Sequence, residues 1–210
     1  MAIIKSGILG GGSGSVGPVT MGSWKGKDYI RSKPTSVANP KTAAQVGQRT
    51  KLSTLVAFAK EILVPVIKPL WDRFAQGMSG YNHFIQQNIA QVSAAGAITY
   101  ASIRTSIGSL LGQSINAIGS ADADTNVDIT FTDNSGEGSA LATDTAYVVV
   151  YNETQDVFGT GVGDPRSDAE ANVEMPVACA SGDVLHAWLA FRRADGTLVS
   201  NSSYATDVVA

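Results

Sequence analysis

From residue 43 onward, apolar positions fall three and four apart: Ala43, Val46, Leu52, Leu55, Val56, Ala59, Ile62 and Leu63. That spacing predicts an amphipathic helix. Asn39 supplies an N-cap for it and Pro40 a first helical residue. Pro65 and Pro69 must end or kink it, because each lacks an N–H and clashes with the preceding turn. Leu70, Trp71 and Phe74 predict a further short helix, and Tyr81, Phe84, Ile85, Ile89 and Val92 return to helical spacing after Gly77. Two or three helices are expected over 40–93.

Beyond residue 120 the period changes to two. Val127, Ile129 and Phe131 alternate with Asp128, Thr130 and Thr132, which predicts a half-buried strand. Ala146–Tyr151 and Val184–Phe191 are continuous runs rich in β-branched and aromatic residues, expected as buried central strands. The Asp195-Gly196 pair between the second run and Leu198–Tyr204 is a strong hairpin signal. Six or seven short strands over 121–210 argue an antiparallel β-sandwich. Residues 94–120, rich in Ala, Ser, Gly and Ile, read as a connector whose periodicity does not settle whether 98–103 is extended.

The first 38 residues read as an arm. Eight of the 22 glycines lie before residue 27, and Gly10–Ser15 is too glycine-rich to nucleate regular structure. Val19–Trp24 and Asp28–Ser32 flank Lys25-Gly26-Lys27, which predicts a hairpin. Such a ribbon is marginal alone and is expected to lie on this chain or a neighbour. The fold class expected is therefore α+β, with four segments: a basic arm and hairpin (1–38), a helical block (39–93), a connector (94–120) and an acidic β-sandwich (121–210).

Charge sharpens this division. Residues 1–110 carry twelve Lys or Arg against Asp28, Glu61 and Asp72, whereas 111–210 carry Arg166, Arg192 and Arg193 against fifteen acidic residues. The overall formal charge of −3 conceals two segments of opposite sign, and such asymmetry points to different partners for each. The single cysteine, Cys179, allows no internal disulfide and sits among apolar neighbours as an expected inert core residue. The opening apolar run is short for a signal peptide and no stretch reaches the length of a membrane span. The expected location is the cytoplasm or a particle assembled there.

Candidate chemistry is sparse. Gly12, Gly14 and Gly17 fit a dinucleotide-binding pattern, but that chemistry needs a helix next and Pro18 with a hairpin follows. Asp122, Asp124, Asn126, Asp128 and Asp133 resemble a calcium loop without its turn glycine or its closing glutamate, so a solvated acidic linker is favoured. His83 and His186 have no second ligand at metal spacing, and His186 reads as a packed or rim residue. No acid, base and nucleophile converge. No enzyme activity, cofactor, metal or small-molecule substrate is expected.

The positive signal is basic and aromatic. Lys25, Lys27, Arg31, Lys33, Lys41, Arg49 and Lys51 lie within one short stretch together with Trp24 and Tyr29. Phosphate binding requires little more than this. Two other readings stand beside it: a lysine-protected edge with a solvated helix face, and a positive arm laid on the negative surface of the next copy.

These residues also carry a family resemblance. Gly17-Pro-Val, the run Trp24–Pro34, Asn39-Pro-Lys-Thr-Ala-Ala-Gln45, Arg49, Phe58, Gly80-Tyr-Asn, Phe84 and Asn88 resemble a family of uncharacterised proteins of Bacteroidota and phage-related genomes. Phe131-Thr-Asp-Asn-Ser, Tyr147–Asn152, Gly182–His186 and Val199–Tyr204 are similar to its carboxy-terminal half. The resemblance spans about residues 16–205 and implies a phage-type structural protein, with no activity or catalytic residue to carry over. The acidic half also resembles a fibronectin type III or immunoglobulin-like module by strand pattern. The expectation is a non-enzymatic virion component, capsid-associated, decorating or at the head–tail junction. It would assemble with itself or other virion proteins, and its basic region could meet packaged nucleic acid. A bacterial nucleic-acid-binding accessory protein is the alternative.

Overall fold

The computed structural model describes residues 2–4, 13–36 and 39–210. The glycine-rich stretch 5–12 lies outside them. The chain forms two compact units, Met1–Thr42 and Ala43–Ala210. The expected helical and β-rich segments therefore belong to one unit.

The first unit is a four-stranded antiparallel sheet in the order β1-β4-β3-β2. Its strands are β1 (Ala2–Ile4), β2 (Gly14–Val16), β3 (Val19–Trp24) and β4 (Lys27–Ser32). The arm with one hairpin expected for 1–38 is thus extended by a strand on each side. Both tight turns have a local cause. Lys25 and Gly26 have φ of 50° and 74°, the paired positive values of a type I′ hairpin turn whose twist suits the strands. Gly17 has φ of 56° and leads into Pro18, so the chain reverses between Val16 and Val19.

In the second unit, α1 (Ala43–Glu61) places Leu55, Phe58 and Ala59 on one buried stripe. It starts three residues later than the Pro40 predicted from sequence. Lys41, at φ 48°, breaks the helical path before it can begin. Pro65 has the effect expected of it. With its N–H missing, the chain widens into a π-helical turn over Leu63–Ile67, where Ile67 N–H donates to Ile62 O at 3.0 Å. Helix α2 (Lys68–Trp71) follows, with Pro69 in its first turn. Ser79 caps α3 (Gly80–Asn88), its Oγ accepting from Asn82 N–H.

Seven strands complete the unit: β5 (Ile115–Ser120), β6 (Asn126–Phe131), β7 (Thr145–Asn152), β8 (Val157–Pro165), β9 (Glu170–Glu174), β10 (Val184–Arg192) and β11 (Ser203–Val208). They form two antiparallel sheets, ordered β11-β10-β7-β8 and β5-β6-β9. One apolar core lies between the sheets: Val127, Ile129 and Phe131 from β6 and Ala171 and Val173 from β9 meet Val148 and Val150 from β7 and Leu185, Leu189 and Phe191 from β10. A second core lies on the other face of the four-stranded sheet. There Tyr147, Val149, Tyr151 and Trp188 pack against Phe58, Ile62, Trp71 and Phe84 of the helical segment. Strands β7 and β10 are covered on both faces, which is why they read as continuous apolar runs while β6 alternates.

The connector expected over 94–120 is pinned rather than loose, and its last residues, Ile115–Ser120, are strand β5, so the β-rich part begins before the expected residue 121. Asn88 holds the connector by accepting from Arg104 N–H at 2.8 Å and donating to Arg104 O at 3.0 Å, and Trp71 Nε1 donates to Thr105 O. Residues 106–110 then run beside 199–202, where Ser106 Oγ donates to Ser200 O at 2.6 Å. The sequence leaves 98–103 undecided; the structure places a 3-10 turn at Tyr100–Ser102. The strand expected over 198–204 is a turn arm bonded to β10 up to Ser200, and β11 proper begins at Ser203.

Candidate functional site

Two sites emerge. The first contains most of the basic and aromatic residues picked out in the sequence. Because side chains alternate along a strand, the β3–β4 register puts Thr20 with Arg31, Gly22 with Tyr29, and Trp24 with Lys27 on one face. The Tyr29 ring lies across Gly22, where a Cβ would approach its hydroxyl to 2.9 Å. Lys25 Nζ sits 4.8 Å from the Trp24 ring centroid, a cation–π contact. Trp24 is 67% exposed. The opposite face carries Val19, Met21 and Ile30. None of the described side chains of this unit is buried.

Of the remaining basic residues, only Lys33 continues the β4 register, at the same parity as Arg31. Lys33 follows β4 and its N–H donates to Pro18 O. Lys41 precedes α1, while Arg49 and Lys51 stand on α1 in the second unit. Two residues apart on a helix, these last two project about 200° from each other.

The second site is one that the sequence does not announce. A cavity of about 660 Å³ opens between α1, the 96–100 loop and the β7–β8 hairpin. Phe58, Tyr100, Tyr151 and Phe158 form its aromatic walls, and Glu61, Glu153 and Asp156 its polar ones. Tyr151 stacks on Phe158 with centroids 4.5 Å apart and donates to Asp156 Oδ1 at 2.9 Å. Tyr100 stacks on His186 at 4.3 Å. The His186 ring bridges Tyr204 and Glu153, with Nδ1 2.8 Å from Tyr204 Oη and Nε2 3.0 Å from Glu153 Oε2. A neutral imidazole satisfies both contacts when Nε2–H donates to the carboxylate and Nδ1 accepts from the phenol.

Burial raises the Tyr151 pKa far above that of a free phenol, assisted by Tyr100 and by the bond to Asp156. Burial also raises Tyr100 and Tyr204. All three phenols stay protonated donors rather than bases. The hairpin carrying Glu153 and Asp156 is itself held: Asn152 Oδ1 accepts from Thr154 and Gln155 N–H, and Asn152 Nδ2 donates to Asp183 at 2.7 Å. The lining supplies π faces and carboxylate acceptors on a braced frame, an arrangement suited to holding a ligand.

Residues 11–206 match the profile of a family described as a family of unknown function (DUF6266). The chain belongs to this family. A comparison with curated proteins found no match. Both sites fall inside the matched residues.

The other sequence candidates find ordinary places. Gly12 lies outside the described residues; Gly14 lies on β2 and Gly17 in the turn to β3, so the pattern's described glycines lead into a strand instead of a helix. Each acidic residue of the calcium-like loop has its own partner. Asp124 accepts from Asn126 N–H, Asp122 from Ser181 N–H, Asp128 from Asn172, and Asp133 from Ser135. Among the described residues, no three His, Cys, Asp or Glu are grouped as metal ligands. His83 meets the Trp71 ring edge-on at 5.1 Å. Cys179 is buried, and burial pushes its thiol pKa up. Among the described residues, no helix is long and apolar enough to cross a membrane.

The signal that could have revealed the cavity is His186. It is a polar residue at the same parity as Trp188 and Ala190 on an otherwise apolar strand, and therefore faces the helical layer with them.

Proposed function

We propose that the chain is a non-enzymatic structural protein of a phage particle, assembling through its N-terminal unit. The observation that carries this reading is the sheet with no buried described side chain and with Trp24, Lys27, Tyr29 and Arg31 on one face. Isolated sheets gain their stability from a covered face, and exposed aromatic residues with arginine are the residue types that dominate interface hot spots. The partner is another copy or another virion protein. Charge supports this choice, since the second half of the chain is strongly acidic and complementary potentials favour association.

Within this reading the seven-stranded part is a fibronectin type III-like module. The first, second and fifth strands lie in one sheet and the fourth, third, sixth and seventh in the other. In a constant-type immunoglobulin domain the fourth strand joins the first sheet; here it pairs with the third. The module would supply a rigid body for display or lateral contact.

Deleting residues 1–38, or combining Trp24→Ala, Tyr29→Ala and Arg31→Glu, should leave a folded protein that no longer forms higher-order species by light scattering and electron microscopy. Unchanged assembly of either variant, or a wild-type protein that is monomeric under every condition, sinks the proposal.

One observation favours a second reading. Aromatic rings and cations on the same face of a sheet are the arrangement on which single-stranded nucleic acid stacks. Binding to an oligonucleotide would then weaken with salt, with a slope of about −0.7 for each phosphate contacted. No measurable binding at low salt rules it out.

A further inference from the structure

The cavity between α1, the 96–100 loop and the β7–β8 hairpin offers three carboxylates, Glu61, Glu153 and Asp156, with no Lys or Arg among its lining residues. Of its aromatic walls, Phe58 and Tyr151 are buried and Tyr100 and Phe158 half-buried. An anion would meet like charge here. A neutral ligand would gain nothing from the carboxylates beyond ordinary hydrogen bonds. An organic cation gains from both components, since aromatic rings attract it through their quadrupoles and the carboxylates through charge.

The carboxylates are also positioned in advance. Glu153 Oε2 is held by His186, which is held in turn by Tyr204. Asp156, at φ 55°, is held by the Tyr151 hydroxyl on a hairpin that Asn152 braces. These contacts use one oxygen of each carboxylate. Such bracing lowers the ordering cost of binding.

We infer that this cavity is a binding site for a guanidinium or alkylammonium head group. The volume of about 660 Å³ lies within the usual range of ligand sites and accommodates the end of an Arg or Lys side chain together with its stem. The site lies wholly in the second unit and stands independently of the assembly proposal. The head group comes either from the basic N-terminal unit of another copy or from a diffusible organic cation.

The test titrates full-length protein with agmatine and with butylammonium, followed by calorimetry and by NMR shifts of the Tyr100 and Tyr151 rings. Saturable millimolar binding is expected, weakening with salt. Glu153→Gln combined with Asp156→Asn should weaken it about tenfold, and Tyr100→Leu, which leaves the charges in place, about threefold. Glu137→Gln, remote from the cavity, should bind as wild type. Near-UV circular dichroism checks that each variant is folded, and Glu61→Gln, on the exposed flank of α1, provides a milder variant should the hairpin pair unfold.

Failure of both probes to bind, or agmatine binding unaltered by the hairpin pair and by Glu61→Gln, overturns the inference. So does a neutral alcohol of the same length binding as tightly as butylammonium. The source is read separately by light scattering. Dispersal of assemblies by saturating agmatine assigns the head group to a neighbouring copy. Binding with assembly unaffected supports the site and assigns it to a diffusible cation. Loss of assembly on deleting 1–38 has no bearing on agmatine binding, so the two proposals fail separately.

Discussion

Removing the Arg166 side chain should be among the most damaging single changes to the second unit. Arg166 and Asp144 are both fully buried, with Nη2 3.3 Å from Asp144 Oδ2. The guanidinium also donates to Asn134 Oδ1 and Leu111 O and lies 3.9 Å over the Phe191 ring. Burial alone depresses its pKa, and the Asp144 charge opposes that shift. Arg166→Met preserves the stem's packing but leaves Asp144 a buried carboxylate with the Leu141 N–H at 2.8 Å, and it strips a donor from two further acceptors. Breaking one side of such a pair costs about 3–5 kcal/mol. In a unit of this size that lowers Tm by about 6–20 °C. Arg166→Met with Asp144→Leu removes both charges and should cost well under the sum of the single changes. Urea unfolding followed by tryptophan fluorescence measures all three, because Trp71 and Trp188 are buried and Trp24 adds a constant exposed signal. A loss under about 1 kcal/mol for Arg166→Met, or strict additivity in the double variant, would refute the reasoning.

Gly161 on β8 lies so close to Asn172 O and Val173 of β9 that a Cβ has no room. Gly161→Ala should cost about 1–3 kcal/mol by overpacking, whereas Gly119→Ala, whose Cβ meets only Asp128 at 3.5 Å, should stay within about 0.5 kcal/mol; equal losses at both positions would contradict this. Asp183 has its pKa held below the usual carboxylate range, first by the Ala180 N–H and then by Asn152 and Gln155. A depressed folded-state value contributes stability that is present above the unfolded value of about 3.9 and lost as pH falls through the folded one. The stability gap between wild type and Asp183→Asn should therefore narrow on acidification below about pH 4 and stay level above it; a gap independent of pH between about 3 and 7 would exclude Asp183 as the source.

Legibility in the sequence followed the range of the interactions. The α1 stripe, the break at Pro65, the β6 alternation and the Lys25-Gly26 turn are local effects, and each is readable from neighbouring residues. Strands β1 and β2 were not, because each is only three residues long and is defined by pairing with β4 and β3 rather than by a pattern of its own. The continuous runs of β7 and β10 signalled burial on both faces, but nothing in them says that helices cover the second face. The cavity draws on residues 54–61, 96–100 and 151–158. It exists only once the helical layer has docked, and no single window of sequence contains it. The basic cluster is compact in sequence yet divided between two units, since Arg49 and Lys51 belong to α1.

The helical layer sets an order of events during synthesis. Phe58 stacks edge-on with Trp188 at 5.7 Å, a partner roughly 130 positions further along the chain. At about 5–20 residues per second, the apolar side of α1 waits roughly 6–26 s for that strand to be made. During this interval Phe58, Ile62, Trp71 and Phe84 have cover only from the helical layer itself, so the nascent chain exposes an apolar surface until β7 and β10 emerge. Output of folded protein should thus respond to chaperone supply and to codon choice across residues 60–190 more sharply than mature stability would suggest.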